Sequence, residues 1–209
     1  MSQTIRKVAI VGGNRLPFAR SNTAYTHLSN KDLLTAALKG LVERYKLQGE
    51  ALDEVVGGAV LKHSKDFNLV RESVLSCGLS PSTPGYDIHQ ACGTGLQATM
   101  LVANKLAVGQ IEAGIACGVD STSDAPIAVS DPLRKILLAA NRAKTTGERL
   151  KQILKIRPAY LAPNPPNVNE PRTKNSMGGH CEVMVKDWGI TREAQDQLAF
   201  ESHSKAAAA

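Results

Sequence analysis

The sequence has few aromatic residues, few cysteines and no long apolar run. Its 209 residues include three Phe, four Tyr and one Trp. A core must therefore be built from Ala, Val, Leu and Ile, and an apolar content of 43% is enough for one. The four cysteines stand at irregular intervals without a Cys-x-x-Cys pair, which argues against a disulfide framework and a zinc site. We therefore expect reduced thiols and no metal.

The N-terminus carries no recognisable targeting signal. Residues 1–7 lead directly into an apolar pattern, without a signal-peptide h-region or an Arg- and Ser-rich transit segment. No apolar stretch approaches the ~18 residues that would suggest a membrane span. These absences predict a cytoplasmic protein.

Strand and helix patterns alternate along the first 120 residues. The resulting βαβαβαβ order predicts an α/β domain whose layered sheet is covered on both faces. The segment 96–107 is apolar nearly all round, which predicts a fully buried helix. The predicted strands are residues 7–11, 54–61, 86–89 and 113–119, and the predicted helices are residues 31–44, introduced by the cap Asn30, 68–76 and 92–110.

Cys92 lies where a short apolar strand pattern stops and a helical pattern begins. Gly93 and Gly95 leave room for a substrate to approach the backbone, and the N–H groups of a first helical turn favour a thiolate. The residues alone support a second interpretation more strongly. Free cysteines are among the most buried residues, and strand–glycine–helix turns are common, so a structural cysteine is the alternative.

A basic block follows at residues 134–157, with eight Lys or Arg against the single acid Glu148. It more than accounts for the net charge of +6. One interpretation is a solvated helical face. The others are attraction of the phosphates of CoA through Arg142, Lys144 and Arg149, contact with an anionic membrane surface, or contact with a partner subunit. No nucleic-acid motif or aromatic interleaving accompanies the charge, so we expect no nucleic-acid partner.

Four blocks resemble the thiolase family in the same order along the chain. Residues 90–98, Gln-Ala-Cys-Gly-Thr-Gly-Leu-Gln-Ala, resemble the family's nucleophile motif, in which a cysteine opens the central buried helix. Residues 8–20 resemble the first strand and its Arg-x-Pro turn. Residues 117–126 resemble a strand-to-loop signature, and residues 176–209 resemble the helices that end the matching region.

This resemblance implies a thiolase-like layered αβα fold, of which the chain holds the N-terminal half with an inserted, mostly helical loop domain. Residues 1–125 would form the incomplete α/β domain and residues 126–209 the truncated loop domain. Residues 133–166 are most similar to the branch related to the β-subunit of the fatty-acid oxidation trifunctional enzyme. The Gly-His-Pro and Cys-x-Gly-Gly-Gly motifs of the family's second half do not occur in this sequence.

The resemblance also implies an activity and its residues. Cys92 would be the nucleophile of an acyltransferase acting on 3-ketoacyl-CoA in fatty-acid β-oxidation, with CoA as co-substrate and no metal or redox cofactor. Ser176, Met177 and His180 would contribute to substrate binding, although Ser176 stands where short-chain thiolases have a histidine and His180 where a threonine is usual. A homodimer or dimer of dimers, with a β-oxidation partner subunit, is the implied assembly.

Two further roles remain open at this point. One is another condensing enzyme of the same superfamily, such as a ketoacyl synthase or a sterol-carrier type thiolase. The other is a non-catalytic module that binds acyl-CoA or a partner through the basic block. Asp120, which replaces the family's usual Glu, and Asp124 resemble a carboxylate pair, but we interpret them as turn residues that bond their own backbone.

Overall fold

The computed structural model describes residues 5–209. They form two compact units, and the boundary falls between Asn164 and Pro165. The predicted boundary after residue 125 stays a prediction. The strands are β1 (Glu54–Gly57), β2 (Gly85–Asp87) and β3 (Gly114–Ala116), and the helices are α1 (Asn30–Tyr45), α2 (Leu69–Ser76), α3 (Thr94–Ala107), α4 (Asp131–Arg142), α5 (Thr146–Ile153), α6 (Met177–Asp187) and α7 (Arg192–Ala208).

The first helix begins one residue earlier than predicted. Ser29, not Asn30, is its N-cap: the Ser29 hydroxyl accepts from the Asp32 N–H, and the Asp32 carboxylate accepts from the Ser29 N–H. This reciprocal pair is a capping box, which satisfies two N–H groups that a helix start leaves unpaired. Asn30 is buried instead, and its amide donates to the Leu61 carbonyl at 2.7 Å.

The three strands form one parallel sheet in the order β2-β1-β3. Neighbouring residues of β1 serve opposite faces, because side chains alternate along a strand. Val55 packs with the core side chains of α1 and α2, whereas Val56 packs with Ala98 and Val102 of α3. The prediction of a sheet covered on both faces is confirmed. In chain order, α3 is the first helix after β2.

Two predictions on this unit were wrong. Residues 7–11 form no strand: they do not pair with the outer edge of β2 or of β3, and the neighbouring Arg6 N–H donates to the Ala107 carbonyl. The helix α3 is not buried all round: Leu96 is 70% and Met100 51% exposed. The sheet covers only the side of α3 that carries Ala98 and Val102, and no other described element covers its outer side.

The basic block forms a pair of packed helices, α4 and α5, at the end of the first unit. Ser130 caps α4, and Thr145 forms a capping box with Glu148 at the start of α5. The second unit contains α6 and α7, capped by Ser176 and Thr191. No helix within residues 5–209 is both long and apolar enough to cross a membrane.

Candidate active site

Cys92 lies in a tight turn between the end of β2 and the start of α3. The turn is held by Thr94, which is 5% exposed. The Thr94 hydroxyl accepts from the Gln90 N–H at 2.9 Å and donates to the Ala91 carbonyl at 2.8 Å. Ala91 has a φ of 44°, a left-handed conformation that costs a residue other than glycine some energy. The buried Thr94 hydroxyl and the left-handed Ala91 therefore fix the turn that carries Cys92.

Unpaired N–H groups surround this turn. Within the described residues, the N–H groups of Cys92, Gly95 and Leu96 donate no hydrogen bond, whereas those of Gly93 and Thr94 are bonded to Gln90 and Ala91. A helix start leaves such donors free, and they carry partial positive charge. The Cys92 side chain is exposed, as is the outer side of the helix that follows it, which was expected to be buried. An exposed thiol beside free N–H donors can act as a nucleophile on a carbonyl whose oxygen becomes negative.

Glycines let the neighbouring strand ends approach this turn closely. A Cβ on Gly58, after β1, would lie 2.2 Å from the Ile88 carbonyl oxygen and 3.2 Å from the Thr94 methyl carbon. A Cβ on Gly118, after β3, would lie 3.7 Å from the Gly95 Cα. The segments that follow β1 and β3 therefore form the floor on which the cysteine turn rests.

The other cysteines differ from Cys92 in environment. Cys77 is buried in the core between α1 and α2, and its thiol donates to Val74. Burial, together with the negative charge of Asp87, raises the pKa of Cys117 to about 12, so this thiol stays protonated at neutral pH. Cys181 is exposed on α6. Only Cys92 combines exposure with a strand-to-helix turn.

The three predicted substrate-binding residues lie in the second unit. Ser176 is the N-cap of α6, and its hydroxyl accepts from the Gly179 N–H at 3.1 Å. Met177 is exposed at the first position of the helix. His180 Nε2 lies 3.1 Å from the Thr173 hydroxyl. Their placement relative to Cys92 stays a prediction.

The three predicted CoA-binding cations lie on or beside α4 and α5, and they are not equivalent. Arg149 donates from Nε to the Ala140 carbonyl at 3.3 Å, so this guanidinium joins the two helices. The side chains of Arg142 and Lys144 are exposed and form no hydrogen bond or ion pair with any described residue. These two are therefore the ones free to meet an anionic ligand.

Sequence reasoning missed a set of polar contacts at the carboxyl ends of the strands. The Asp120 carboxylate accepts from the N–H groups of Val60 and Leu61 at 2.9 and 2.8 Å, and Asp124 pairs with His63 at 3.2 Å. Both contacts reach across to the segment after β1, so the interpretation of these two residues as self-bonded turn residues was wrong. The partners are about 60 residues apart, and no sequence spacing indicates them.

Lys62 completes this set of contacts. Its ammonium group donates to the Asp87 carboxylate at 2.6 Å, and that carboxylate also accepts from the first two N–H groups of α2. Asp87 thus caps a helix and anchors the segment after β1 at once. Among residues 5–209, no group of three or more His, Cys, Asp or Glu side chains is placed to hold a metal ion.

The fold and the cysteine turn agree with the comparisons to known proteins. The family model described as "Thiolase, N-terminal domain" matches residues 8–209. This chain belongs to the thiolase family. Both the predicted family and the predicted layered α/β fold of this thiolase chain are thereby confirmed.

Curated relatives of this thiolase chain are about twice its length. The 3-ketoacyl-CoA thiolase of Citrobacter koseri is 42% identical over 203 residues, which cover 97% of this chain and 47% of the relative. That of Cronobacter sakazakii is 43% identical over the same shares. The chain therefore spans about half the length of the curated relatives it matches. The crystal structure of the Bacillus anthracis acetyl-CoA acetyltransferase shares the fold, with a TM-score of 0.75 at 24% identity over 97% of this chain and 47% of that chain.

Proposed function

We propose that the whole protein is a thiolase-type acyltransferase that cleaves 3-ketoacyl-CoA, or runs the reverse Claisen condensation, in fatty-acid β-oxidation. The observation that carries this proposal is the position of Cys92. Its thiol is exposed on a turn held by Thr94, at the end of a parallel strand, beside N–H groups that have no partner. The 3-ketoacyl-CoA thiolases named above support the choice of substrate class.

The chemistry assigned to Cys92 is nucleophilic. Its thiolate attacks the 3-keto carbon, and the electron pair of the carbonyl moves to oxygen. When that oxyanion collapses, the C2–C3 bond breaks and its electron pair stays on C2, which takes a proton to become acetyl-CoA. The shortened acyl group remains on sulfur until a CoA thiol attacks it and restores free Cys92. The acid and base for these proton transfers are assigned to the family's second half.

The free N–H groups at the turn have a role in this scheme. An oxyanion needs donors that already point at it, and each such donor contributes about 2.7–4 kcal/mol in comparable acyl-transfer sites. The N–H of Cys92 is the candidate donor from this chain. CoA thioesters are the ligands, CoA is the co-substrate, and a homodimer or dimer of dimers with a β-oxidation partner subunit is the proposed assembly.

The test combines thiolysis with alkylation of the thiols. Acetoacetyl-CoA and a long-chain 3-ketoacyl-CoA are offered with CoA, and iodoacetamide labelling is followed by intact mass and peptide mapping. We expect Cys92 to be labelled, thiolysis of at least one substrate, and loss of both in Cys92→Ser. The matched control is Cys181→Ser, which removes the other exposed thiol and should leave thiolysis unchanged. Full thiolysis by Cys92→Ser would refute the proposal.

Decarboxylative condensation of malonyl units without thiolysis would instead assign the chain to the condensing enzymes of the superfamily. The same assays separate these two activities, because thiolysis consumes CoA and a 3-ketoacyl-CoA whereas condensation releases carbon dioxide. Cys92 would serve as the acyl carrier in both.

Binding without catalysis is favoured by one specific observation, the free cations Arg142 and Lys144 beside a helix pair with exposed leucines. If this role is correct, neutralising both to Gln weakens CoA binding while Cys92→Ala leaves it unchanged. Lys155→Gln is the matched control, since Lys155 lies in the same block but already bonds Gln152. The third outcome concerns membranes. If wild type does not bind CoA but sediments with phosphatidylglycerol vesicles, and the double variant does not sediment, the block contacts an anionic membrane surface.

A further inference from the structure

The Asp120 carboxylate joins the segments that follow β1 and β3. Its two oxygens accept from two consecutive N–H groups, those of Val60 and Leu61, at 2.9 and 2.8 Å. A carboxylate held by two N–H donors makes stronger hydrogen bonds than a neutral acceptor would. The contact links the two segments at one point, because the donors lie after β1 and the acceptor lies after β3.

The same two segments also touch the cysteine turn, at Gly58, two residues before Val60, and at Gly118, two residues before Asp120. Gly58 lies against the Ile88 carbonyl and the Thr94 methyl, and Gly118 lies against Gly95. The Val119 N–H donates to the Gly58 carbonyl at 3.1 Å, which joins the two segments again beside the turn. A displacement of either segment at the Asp120 contact is therefore transmitted to the floor under Cys92 over a distance of two residues.

One ion pair and one histidine–carboxylate contact hold the same segment from other directions. Lys62 pairs with Asp87 at 2.6 Å and His63 with Asp124 at 3.2 Å. They bind side chains of the segment, whereas Asp120 binds its backbone. Removal of Asp120 should consequently loosen the segment without unfolding it.

We propose that Asp120 is a positioning residue for the reaction of Cys92: its carboxylate fixes the segment after β1 against the turn that carries the nucleophile. The kinetic part of this inference rests on the proposed thiolase function. The structural part does not, since it concerns only the order of the turn. The two parts are therefore measured separately.

The chain supplies a closely matched control in Asp53. The Asp53 carboxylate also accepts from two consecutive N–H groups, those of Glu112 and Ala113, at 2.7 and 3.1 Å. It joins the same two strands, β1 and β3, at their opposite, amino ends. Asp53→Asn therefore removes the same kind of contact from the same sheet, away from the cysteine turn.

The first measurement is amide hydrogen exchange in the turn, followed through the N–H groups of Gly93 and Thr94. We expect Asp120→Asn to speed their exchange about tenfold, because local opening becomes easier when the floor loosens. Asp53→Asn should leave these two amides unchanged, and Asp120→Glu, which restores a carboxylate, should return their exchange towards the wild-type rate. Equal effects of Asp120→Asn and Asp53→Asn, or no effect at Gly93 and Thr94, would overturn the inference.

The second measurement is thiolysis kinetics on the same variants. Because a misplacement of about 1 Å can cost about a hundredfold in rate, we expect Asp120→Asn to lower kcat at least tenfold with KM for CoA changed less than about twofold. Asp120→Glu should recover much of kcat. Absence of thiolysis in the wild-type protein would refute the proposed function but not the exchange result. If the wild type catalyses thiolysis and Asp120→Asn has the same kcat, the positioning role is refuted.

Discussion

Replacing Gly58 by alanine should displace the turn that carries Cys92. The added Cβ would lie 2.2 Å from the Ile88 carbonyl oxygen, whereas carbon and oxygen in close contact stand about 3.3 Å apart. The shortfall is about 1 Å. The N–H of Ile88 donates to the Gly57 carbonyl at 2.7 Å, which keeps Ile88 beside Gly58; the overlap is then relieved by rotating the peptide unit that joins Ile88 to His89, which changes the path of the backbone towards Cys92. The backbone between Ile88 and Cys92 must therefore shift.

The magnitude of the effect follows from this shift. Overpacking of a well-packed site costs about 1–3 kcal/mol, which corresponds to a fall in Tm of several degrees for a protein of this size. A nucleophile misplaced by about 1 Å loses about a hundredfold in rate. Gly58→Ala should thus lower thiolysis kcat far more than its loss of stability would suggest at a temperature where the variant is folded.

The assay compares kcat, thermal unfolding and the labelling rate of Cys92 in Gly58→Ala and Gly13→Ala. Gly13 is the matched control, because a Cβ there would meet no atom within 4 Å. We expect Gly13→Ala to behave as wild type in all three measurements. If Gly58→Ala keeps both its Tm and a kcat within twofold of wild type, the close approach does not position the turn, and the reasoning is refuted.

Three further outcomes can be checked by thermal or chemical unfolding. Lys105→Met should lower the free energy of unfolding by about 3–5 kcal/mol, because it leaves the buried Glu54 carboxylate without its cationic partner. Adding Glu54→Gln to the same protein should recover part of the loss. Burial raises the pKa of Cys117 to about 12, so this thiol stays protonated in the folded protein, whereas in the unfolded chain it ionises near its ordinary pKa of 9.0. The stability of the folded state is therefore unaffected at lower pH and falls as pH rises above that value; between pH 8 and pH 10, wild type should lose about 1 kcal/mol more than Cys117→Ala. Ser176→Ala should destabilise α6 by about 1 kcal/mol through loss of its N-cap, measurable as reduced helix content.

The elements that the sequence predicts well are those whose signal is local. The helices α1 and α2 and the three strands of the sheet appear where periodicity places them, within a few residues. Cys92 likewise falls at the predicted junction of strand and helix. Each of these rests on residues close together in the chain, which is where period and turn chemistry act.

The failures have a different physical origin. Residues 7–11 have the composition of a strand, but a strand also needs hydrogen bonds to a neighbouring strand, and composition alone does not determine whether that pairing forms. The outer side of α3 is apolar, with Leu96 and Met100, and the described elements simply do not cover it. Apolar periodicity predicts which residues can be buried, and the neighbours decide whether they are.

Asp53 and Asp120 show why the polar contacts of the site lay beyond sequence reasoning. Both carboxylates accept from two consecutive N–H groups of a distant segment, and both join β1 to β3. The two residues have the same chemistry, and they differ in that Asp53 precedes β1 whereas Asp120 follows β3. Their different roles follow from direction alone: parallel strands bring all their carboxyl ends to one edge of the sheet, so Asp120 falls beside Cys92 while Asp53 falls at the far edge. The chemistry of a residue can thus be read from the sequence, but its role depends on which end of the folded sheet it lies at and on which distant N–H groups meet it there.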